Sequence, residues 1–373
     1  MTRHVTLTER RRKLVRLTRP DAVALRRDFA GVVTLALADR TGCYEVTAGG
    51  YVGTFVAGGT RYTVRPKYPL TYLDTAAGRD IAQGHGDDLA TTLARRFTRE
   101  FDELLTAGLL HGYAEHRTDS PTVRGRLDFA RMLRDPSPAR LVPIVADEFT
   151  RDHDLNRVPR AAAVALLRCD LPADVRASVT RVLHALGDVS PVEPTMIRWD
   201  GLHLDARSGH YRPVIGTARA ILTGLRAGDA MMARLFNLAA IFEAELTARL
   251  AGDRVNPQLR LTLGGDDPRT MRPDFVVRDA AGGPVAVWDA KWKTLGRGGP
   301  ADDDLHQVLA YAAALGVSEC GLIYPARRSA RRSWLAPSGV TVHAVILPVT
   351  GDPRRFEAAV GALKRRLAGG APA

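Results

Sequence analysis

Residues 272–293 read RPDFVVRDAAGGPVAVWDAKWK. The β-rich runs Phe275–Val277 and Val285–Trp292 flank the turn-forming residues Ala280–Pro284, so the spacing predicts a hairpin with a short loop. Side chains alternate across a strand, which puts Val285, Val287, Asp289 and Lys291 on one side and turns Ala290 away. Asp274, just behind Pro273, falls at the same end of the hairpin. Two carboxylates and one amine are therefore expected to converge at the end of a short sheet. Carboxylate oxygens are hard ligands that hold Mg²⁺ without displacing all its waters, and Mn²⁺ accepts the same donors. Such an ion activates a bound water and offsets charge developing on phosphorus. A neighbouring lysine orients the attacking water or stabilises transition-state charge. The bland alternative is an amphipathic hairpin with a surface Asp–Lys pair, because D-x-K alone is a common pattern.

The order Pro-Asp, turn, apolar strand, Asp-Ala-Lys resembles the PD-(D/E)xK nuclease signature. Upstream, Phe242-Glu243 lies in a long helical pattern, MMARLFNLAAIFEAELTARL (231–250). Downstream, Gln307 and Tyr311 stand at Q-x-x-x-Y spacing. Further segments lie outside that motif: YVGTF (51–55), RPKYP (65–69), Gly125-Arg126-Leu127-Asp128 and LNRVPRAAAVALL (155–167). Together they resemble the McrC family, the nuclease subunit of modification-dependent McrBC restriction systems, over most of the chain. The resemblance implies an Mg²⁺-dependent DNA endonuclease in which Asp274 and Asp289 hold the metal and Glu243 joins directly or through water. Lys291 would assist the attack and Gln307 would orient it. A partner is implied as well, an McrB-like AAA+ GTPase ring that recognises modified duplex DNA and is stimulated by this subunit. Oligomerisation would then run through the ring.

Bulk properties agree with a polyanionic partner. The 373 residues carry a formal charge of +12, mostly as arginine, although abundant Ala, Arg, Gly and Val also suggests compositional bias. With 45% hydrophobic residues the chain can bury real cores, which excludes wholesale disorder. Cys43, Cys169 and Cys320 lie far apart, so neither a Cys-based metal site nor a disulfide framework is expected. A reducing, cytoplasmic location fits this. No signal-peptide core or membrane-length apolar run occurs, and no G-x-x-x-x-G-K-[ST] loop marks an NTPase site.

The expected architecture is α+β and multidomain. A β-rich N-terminal domain (1–120) carries short strands over 31–66, as in a small barrel or sandwich, then a helix over 87–113. That helix repeats Leu89, Leu93, Phe97, Phe101 and Leu105 at fourfold spacing. Docking of the partner is implied for this half. A mostly helical middle region (121–225) includes a helix starting near 155–158, because Pro159 fits only a first turn. Asn156 and Arg157 are given no catalytic role. The last region (226–373) should be a restriction-endonuclease-like α/β domain, with buried strands at 321–325 and 340–349 and a closing helix.

Several side chains stay open to two readings. Glu243 and Glu245 fall on opposite margins of the apolar face of helix 231–250, and only the family's Phe-Glu pairing favours Glu243. Asp302 is read as the N-cap of DDDLHQVLAYAAAL, on which Asp304, Gln307 and Tyr311 share a stripe. Gln307 would bond Lys291 or a substrate phosphate, and Tyr311 would supply a hydroxyl or a stacking surface. Arg327, Arg328, Arg331 and Arg332, with Trp334, are read on one loop, as phosphate contacts or as a solvated basic surface. His111 and His116, five apart, do not share a helical face. Lys67 either meets a phosphate or caps an edge strand. Two functional alternatives accompany the restriction subunit: a stand-alone nuclease, and a non-catalytic activator of a motor, which the intact Asp–Asp–Lys set disfavours.

Overall fold

The computed structural model describes residues 3–38, 42–73, 89–134, 141–202, 204–227, 233–257, 259–263 and 269–369. It is a mixed α+β protein with several sheets. The N-terminal part holds strands β1 (His4–Thr8) and β2 (Arg12–Arg16), helix α1 (Arg19–Asp28), and strands β3 (Val33–Leu37), β4 (Cys43–Ala48), β5 (Tyr51–Ala57) and β6 (Thr60–Arg65). β2, β4 and β3 form one antiparallel sheet, while β1 pairs parallel with β6, which pairs with β5. Leu7, Leu25, Val46, Phe55 and Tyr62 fill the core between them. On β2, Arg12 meets Glu45 of β4. α1 starts where Thr18 and Asp21 cap each other's backbone amides, a signal the sequence reading passed over.

The next stretch contains α2 (Leu89–Ala107), β7 (Gly112–Ser120), β8 (Arg126–Leu127), α3 (Phe129–Arg134), β9 (Val142–Thr150), α4 (Asp154–Leu167), α5 (Ala173–Ala185), α6 (Arg212–Gly224), β10 (Leu225–Ala227), β11 (Ala233–Asn237) and α7 (Leu238–Leu250). On α2, Leu93, Phe97 and Phe101 are buried, but Leu105 is exposed and Leu104 lies inside. Steps of four outrun the 3.6-residue turn, drifting by about 160° over four repeats. α4 begins at Asp154, one residue before the expected 155–158, with His153 accepting from the Leu155 amide, so Pro159 sits past the first turn, inside the helix. Buried Asn156 ties this start together. Its amide donates to the Leu110 and Arg151 carbonyls at 2.9 and 2.7 Å and its oxygen accepts from the Tyr211 hydroxyl at 2.5 Å.

The expected helix over 231–250 is shorter. Ala233–Asn237 is a strand that pairs antiparallel with β5, and with β10 it extends the N-terminal sheet to the order β1-β6-β5-β11-β10. Leu235 packs into the N-terminal core and Phe236 into the central one. Consecutive residues reaching two cores require alternating faces, which a helix does not provide. Asn237 then caps α7 by accepting from the Ala239 and Ala240 amides.

The C-terminal part comprises β12 (Val255–Pro257), the small pair β13 (Leu261–Leu263) and β14 (Arg269–Met271), β15 (Phe275–Arg278), β16 (Pro284–Ala290), α8 (Asp302–Leu315), β17 (Glu319–Ala326), β18 (Ala330–Leu335), β19 (Thr341–Pro348) and α9 (Pro353–Gly369). Its six-stranded sheet runs β12-β15-β16-β17-β19-β18, with the β16–β17 and β17–β19 pairs parallel. Val287, Leu322 and Tyr324 face Val308 and Ala312 of α8. Trp288, Ile323 and Leu347 belong to the core shared with α7 and α9. Gly321, beside Trp288 in register, has to be glycine: a β-carbon there would lie 2.3 Å from the indole. No helix among the described residues is long and apolar enough to cross a membrane.

Candidate active site

Phe275 pairs with Trp288, so Asp274 and Asp289, each one step beyond that pair, arrive at the same end of the hairpin. The Ala290 amide donates to Asp274 Oδ2 at 2.6 Å. Beyond β16 the Lys291 amide donates to the Ile323 carbonyl, which keeps the next side chain at the sheet end. The Lys291 ammonium sits 2.6 Å from Asp289 Oδ2 and donates to Gln307 Oε1 at 2.6 Å. Gln307 Nε2 in turn donates to the Tyr311 hydroxyl at 2.8 Å, and that hydroxyl faces the Arg272 carbonyl at 3.4 Å. One turn of α8 thereby fixes the direction of the amine. The Tyr311 ring is buried in the α8 core, so its hydroxyl takes part and its face is not available for stacking.

Aromatic packing anchors the loop that follows. Trp292 is buried at 2% exposure against Phe242 of α7, with ring centroids 5.3 Å apart, and lies 6.3 Å from Tyr72. Removing about 200 Å² of indole from water contributes on the order of 5 kcal/mol. The indole Nε1 donates to Glu9 at 2.9 Å, joining the end of β1 to the residue after Lys291.

Charge at the site is unbalanced. Burial, then the charges of Glu243 and Asp289, push the Asp274 carboxyl up to about 8, with the Ala290 amide and Lys291 opposing. Asp289 is raised too, chiefly by burial, with Lys291 pulling it back and Glu243 and Asp304 adding repulsion. Burial works against the Lys291 ammonium, yet Asp289, Asp304 and Asp274 outweigh it and raise its pKa. Glu243 and Glu245 separate cleanly. Half-buried Glu243 acts on both aspartates, whereas Glu245, 1% exposed, binds Arg96 at 2.8 Å and Arg249.

Asp304, on the same stripe of α8 as Gln307 and Tyr311, also reaches the site. It is 3% exposed, accepts from Lys293 at 2.7 Å and from the Tyr324 hydroxyl at 3.3 Å, and adds negative charge near Asp289. The second lysine of DAKWK was the available signal. Asp302 is not the N-cap. Ala301 holds that position without a side-chain bond, and three aspartates fill the first turn of α8.

The four arginines do not share one loop. Arg327 and Arg328 occupy the turn after β17, while Arg331 and Arg332 lie on edge strand β18, paired with β19. All four are exposed. Arg332 is committed: it donates to the Gly296 and Arg297 carbonyls at 3.4 and 3.0 Å and stacks 5.1 Å over Trp334. The His111 ring stacks on Phe149, and the His116 side chain lies outside the described residues. Cys43, Cys169 and Cys320 form no disulfide.

Among the described residues no three His, Cys, Asp or Glu side chains close into a ready-made cage. Mg²⁺ does not need one, since one or two carboxylates with waters and substrate phosphates suffice. Burial raises Asp274 and Asp289, with repulsion from Glu243 added at both, and this fits a divalent cation, because a nearby positive charge offsets the cost of ionising them.

The fold and this site define an α+β protein with a carboxylate–lysine centre at the end of a mixed sheet. A family model described as McrBC 5-methylcytosine restriction system component matches residues 74–325, about two thirds of the chain. The chain belongs to that family. No curated protein matches it significantly. Among solved structures it is similar to the refined half-complex from a tetradecameric assembly of Thermococcus gammatolerans McrB AAA+ hexamers with bound McrC. That match has 17% identity and a TM-score of 0.45 and covers 96% of this chain and 100% of that one. It is also similar to the cryo-EM structure of the Thermococcus gammatolerans McrBC complex, at 19% identity and TM-score 0.39, covering 67% and 89%.

Proposed function

We propose that this chain is the metal-dependent DNA endonuclease subunit of a modification-dependent restriction system, with residues 226–373 forming a PD-(D/E)xK nuclease domain. The observation that carries it is Asp274 and Asp289 beside the Lys291 amine, with Glu243 acting on both carboxylates, in a member of this family. Asp274 and Asp289 would hold Mg²⁺ or Mn²⁺, with Glu243 as the outer carboxylate. The bound ion would supply Lewis-acid activation of water and charge stabilisation at phosphorus. Lys291, held by Asp289 and Gln307, keeps an ammonium at the position where negative charge develops on the phosphate. Tyr311 orients Gln307 and so acts one bond further out.

The partner is proposed to be an McrB-like AAA+ GTPase ring, as in the assemblies named for the Thermococcus proteins, with docking through residues 1–120. The family's description makes duplex DNA carrying 5-methylcytosine the first substrate to try. The test is cleavage of methylated and unmethylated DNA by the full chain, with and without the motor and GTP. Asp289→Asn should stimulate GTP hydrolysis normally and cut nothing, since docking through residues 1–120 would not require the hairpin carboxylates. Wild-type cleavage by a folded Asp289→Asn protein would sink the site. Loss of stimulation in that variant would sink the division of roles.

A further inference from the structure

A cleft of about 460 Å³ opens beside Lys293, where the N-terminal sheet meets the loop after β16. Its cations come from separate parts of the chain: Arg10 and Arg11 after β1, Lys67 after β6, and Lys293 and Arg327 from the C-terminal part. Five positive side chains therefore surround one carboxylate, Glu9. Glu9 is fully buried and already engaged. It accepts from the Trp292 indole at 2.9 Å and from the Lys67 amide at 3.5 Å, and it lies 3.4 Å from Arg10 Nε.

Lys67 is not a free-swinging surface lysine. Half-buried, its ammonium lies 5.2 Å from the Tyr68 ring centroid and 5.8 Å from that of Trp292. Burial lowers its pKa, Glu9 opposes that, and Arg10 adds repulsion. Holding an ammonium among other cations costs free energy, which an incoming anion offsets. Hydroxyl donors are present too, with Tyr68 and Thr294 3.2 Å apart at the rim. Lysine, arginine, threonine and tyrosine are the side chains that contact nucleic-acid phosphates. The cleft also lies close to the carboxylate site along the chain. Lys293, which lines it, binds Asp304 and lies two residues beyond Lys291, so their α-carbons are at most about 7 Å apart.

We infer that this cleft is a phosphate-binding subsite that grips the DNA backbone next to the bond held at Asp274, Asp289 and Lys291, with Lys67 and Arg11 as its principal contacts. The inference rests on the DNA-cleaving function proposed above. It gives the N-terminal sheet a direct share in substrate binding. Because Glu9 links the cleft to Trp292, occupancy there also braces the loop that presents Lys291.

The test is equilibrium binding of the full chain to a fluorescent DNA duplex in EDTA, titrated with salt, so that no cleavage is needed. Neutralising Lys67 and Arg11 together (Lys67→Gln with Arg11→Gln) should reduce the slope of log K against log salt by about 1.8, at about 0.9 per phosphate contact. Lys67→Arg should retain the slope. Should the double variant fail to fold, Arg11→Gln alone, at an exposed position, should lower the slope by about 0.9. A wild-type slope in a folded double variant, or in folded Arg11→Gln where the double does not fold, overturns the subsite, even if inorganic phosphate still binds the cleft. Failure of the nuclease proposal is read separately, as absence of Mg²⁺- or Mn²⁺-dependent cleavage by wild type.

Discussion

Glu243 and Glu245 stand two residues apart on α7, and their surroundings treat them in opposite ways. Glu245 faces a cluster closed by arginine. Arg96 bonds Glu245 and Glu100 at 2.8 Å each, and Arg249 bonds Glu245 and reaches Glu357 at 3.0 Å. Burial opposes the charge on Glu245, but Arg96 and Arg249 outweigh it and leave its pKa lowered. Glu243 faces Asp274 and Asp289, where Lys291 is the cation in contact and both aspartates end up raised. The fold supplies the first cluster with two arginines of its own, although burial still leaves the Glu100 carboxyl raised. At the second, Lys291 is the cation seen to act on both aspartates, and a metal ion is proposed to supply further positive charge. Buried carboxylates are therefore not a functional signal in themselves; the missing counter-charge is.

The largest effect should come from emptying the second cluster. Asp274→Asn, Asp289→Asn or Lys291→Ala should reduce cleavage by about 10⁴-fold, roughly 5 kcal/mol of transition-state stabilisation. Folding should persist in the two asparagine variants, because each relieves repulsion between buried carboxylates. A gel assay on methylated duplex checks this, and near-normal cutting by any of the three would erase the contrast.

Breaking the first cluster should instead cost stability. Arg96→Met leaves Glu100 without its arginine and Glu245 with one of its two, in surroundings almost free of solvent. A loss of about 3–5 kcal/mol in denaturant unfolding is expected, as for other buried pairs deprived of one member. A variant as stable as wild type would mean that water reaches this side of α7.

Metal-free protein should also reveal the second cluster through pH. Unfolded Asp274 loses its proton near 3.9 and folded Asp274 near about 8. Between those values the unfolded chain binds fewer protons, so stability falls as pH rises from about 4 to about 8. Saturating Mg²⁺ should flatten that fall and stabilise the protein by about 2.7 kcal/mol at a hundredfold excess over Kd. Thermal melts across pH, with and without Mg²⁺, distinguish this from a pair that needs no cation.

The sequence made one side of this contrast readable and hid the other. The 2-residue period of VAVWDAK and the turn behind it were enough to bring Asp274, Asp289 and Lys291 together, because a hairpin is a local object. The choice between Glu243 and Glu245 was not local. It is made by Arg96, 149 residues before Glu245, which no helical period can announce. Asp304 was hidden for the same reason, its partners Lys293 and Tyr324 coming from two other elements. β11 carries a helix-like apolar pattern because Leu235 and Phe236 serve two cores that only the tertiary fold defines.

The smallest expected effect extends the contrast to the arginines of 327–332. Arg332 resembles Arg96, since its guanidinium is already used by the Gly296 and Arg297 carbonyls and by Trp334. Arg328, exposed in the turn after β17, has the character of a charge offered outward. Replacing it by glutamine should lower the salt slope of duplex binding by about 0.9, one phosphate contact. Arg332→Gln should change that slope less and show itself instead as faster amide exchange around residues 296–299, where its hydrogen bonds hold the loop. Equal slope changes for the two would mean that Arg332 leaves its carbonyls for DNA, and the edge strand would then belong to the binding surface along its whole length.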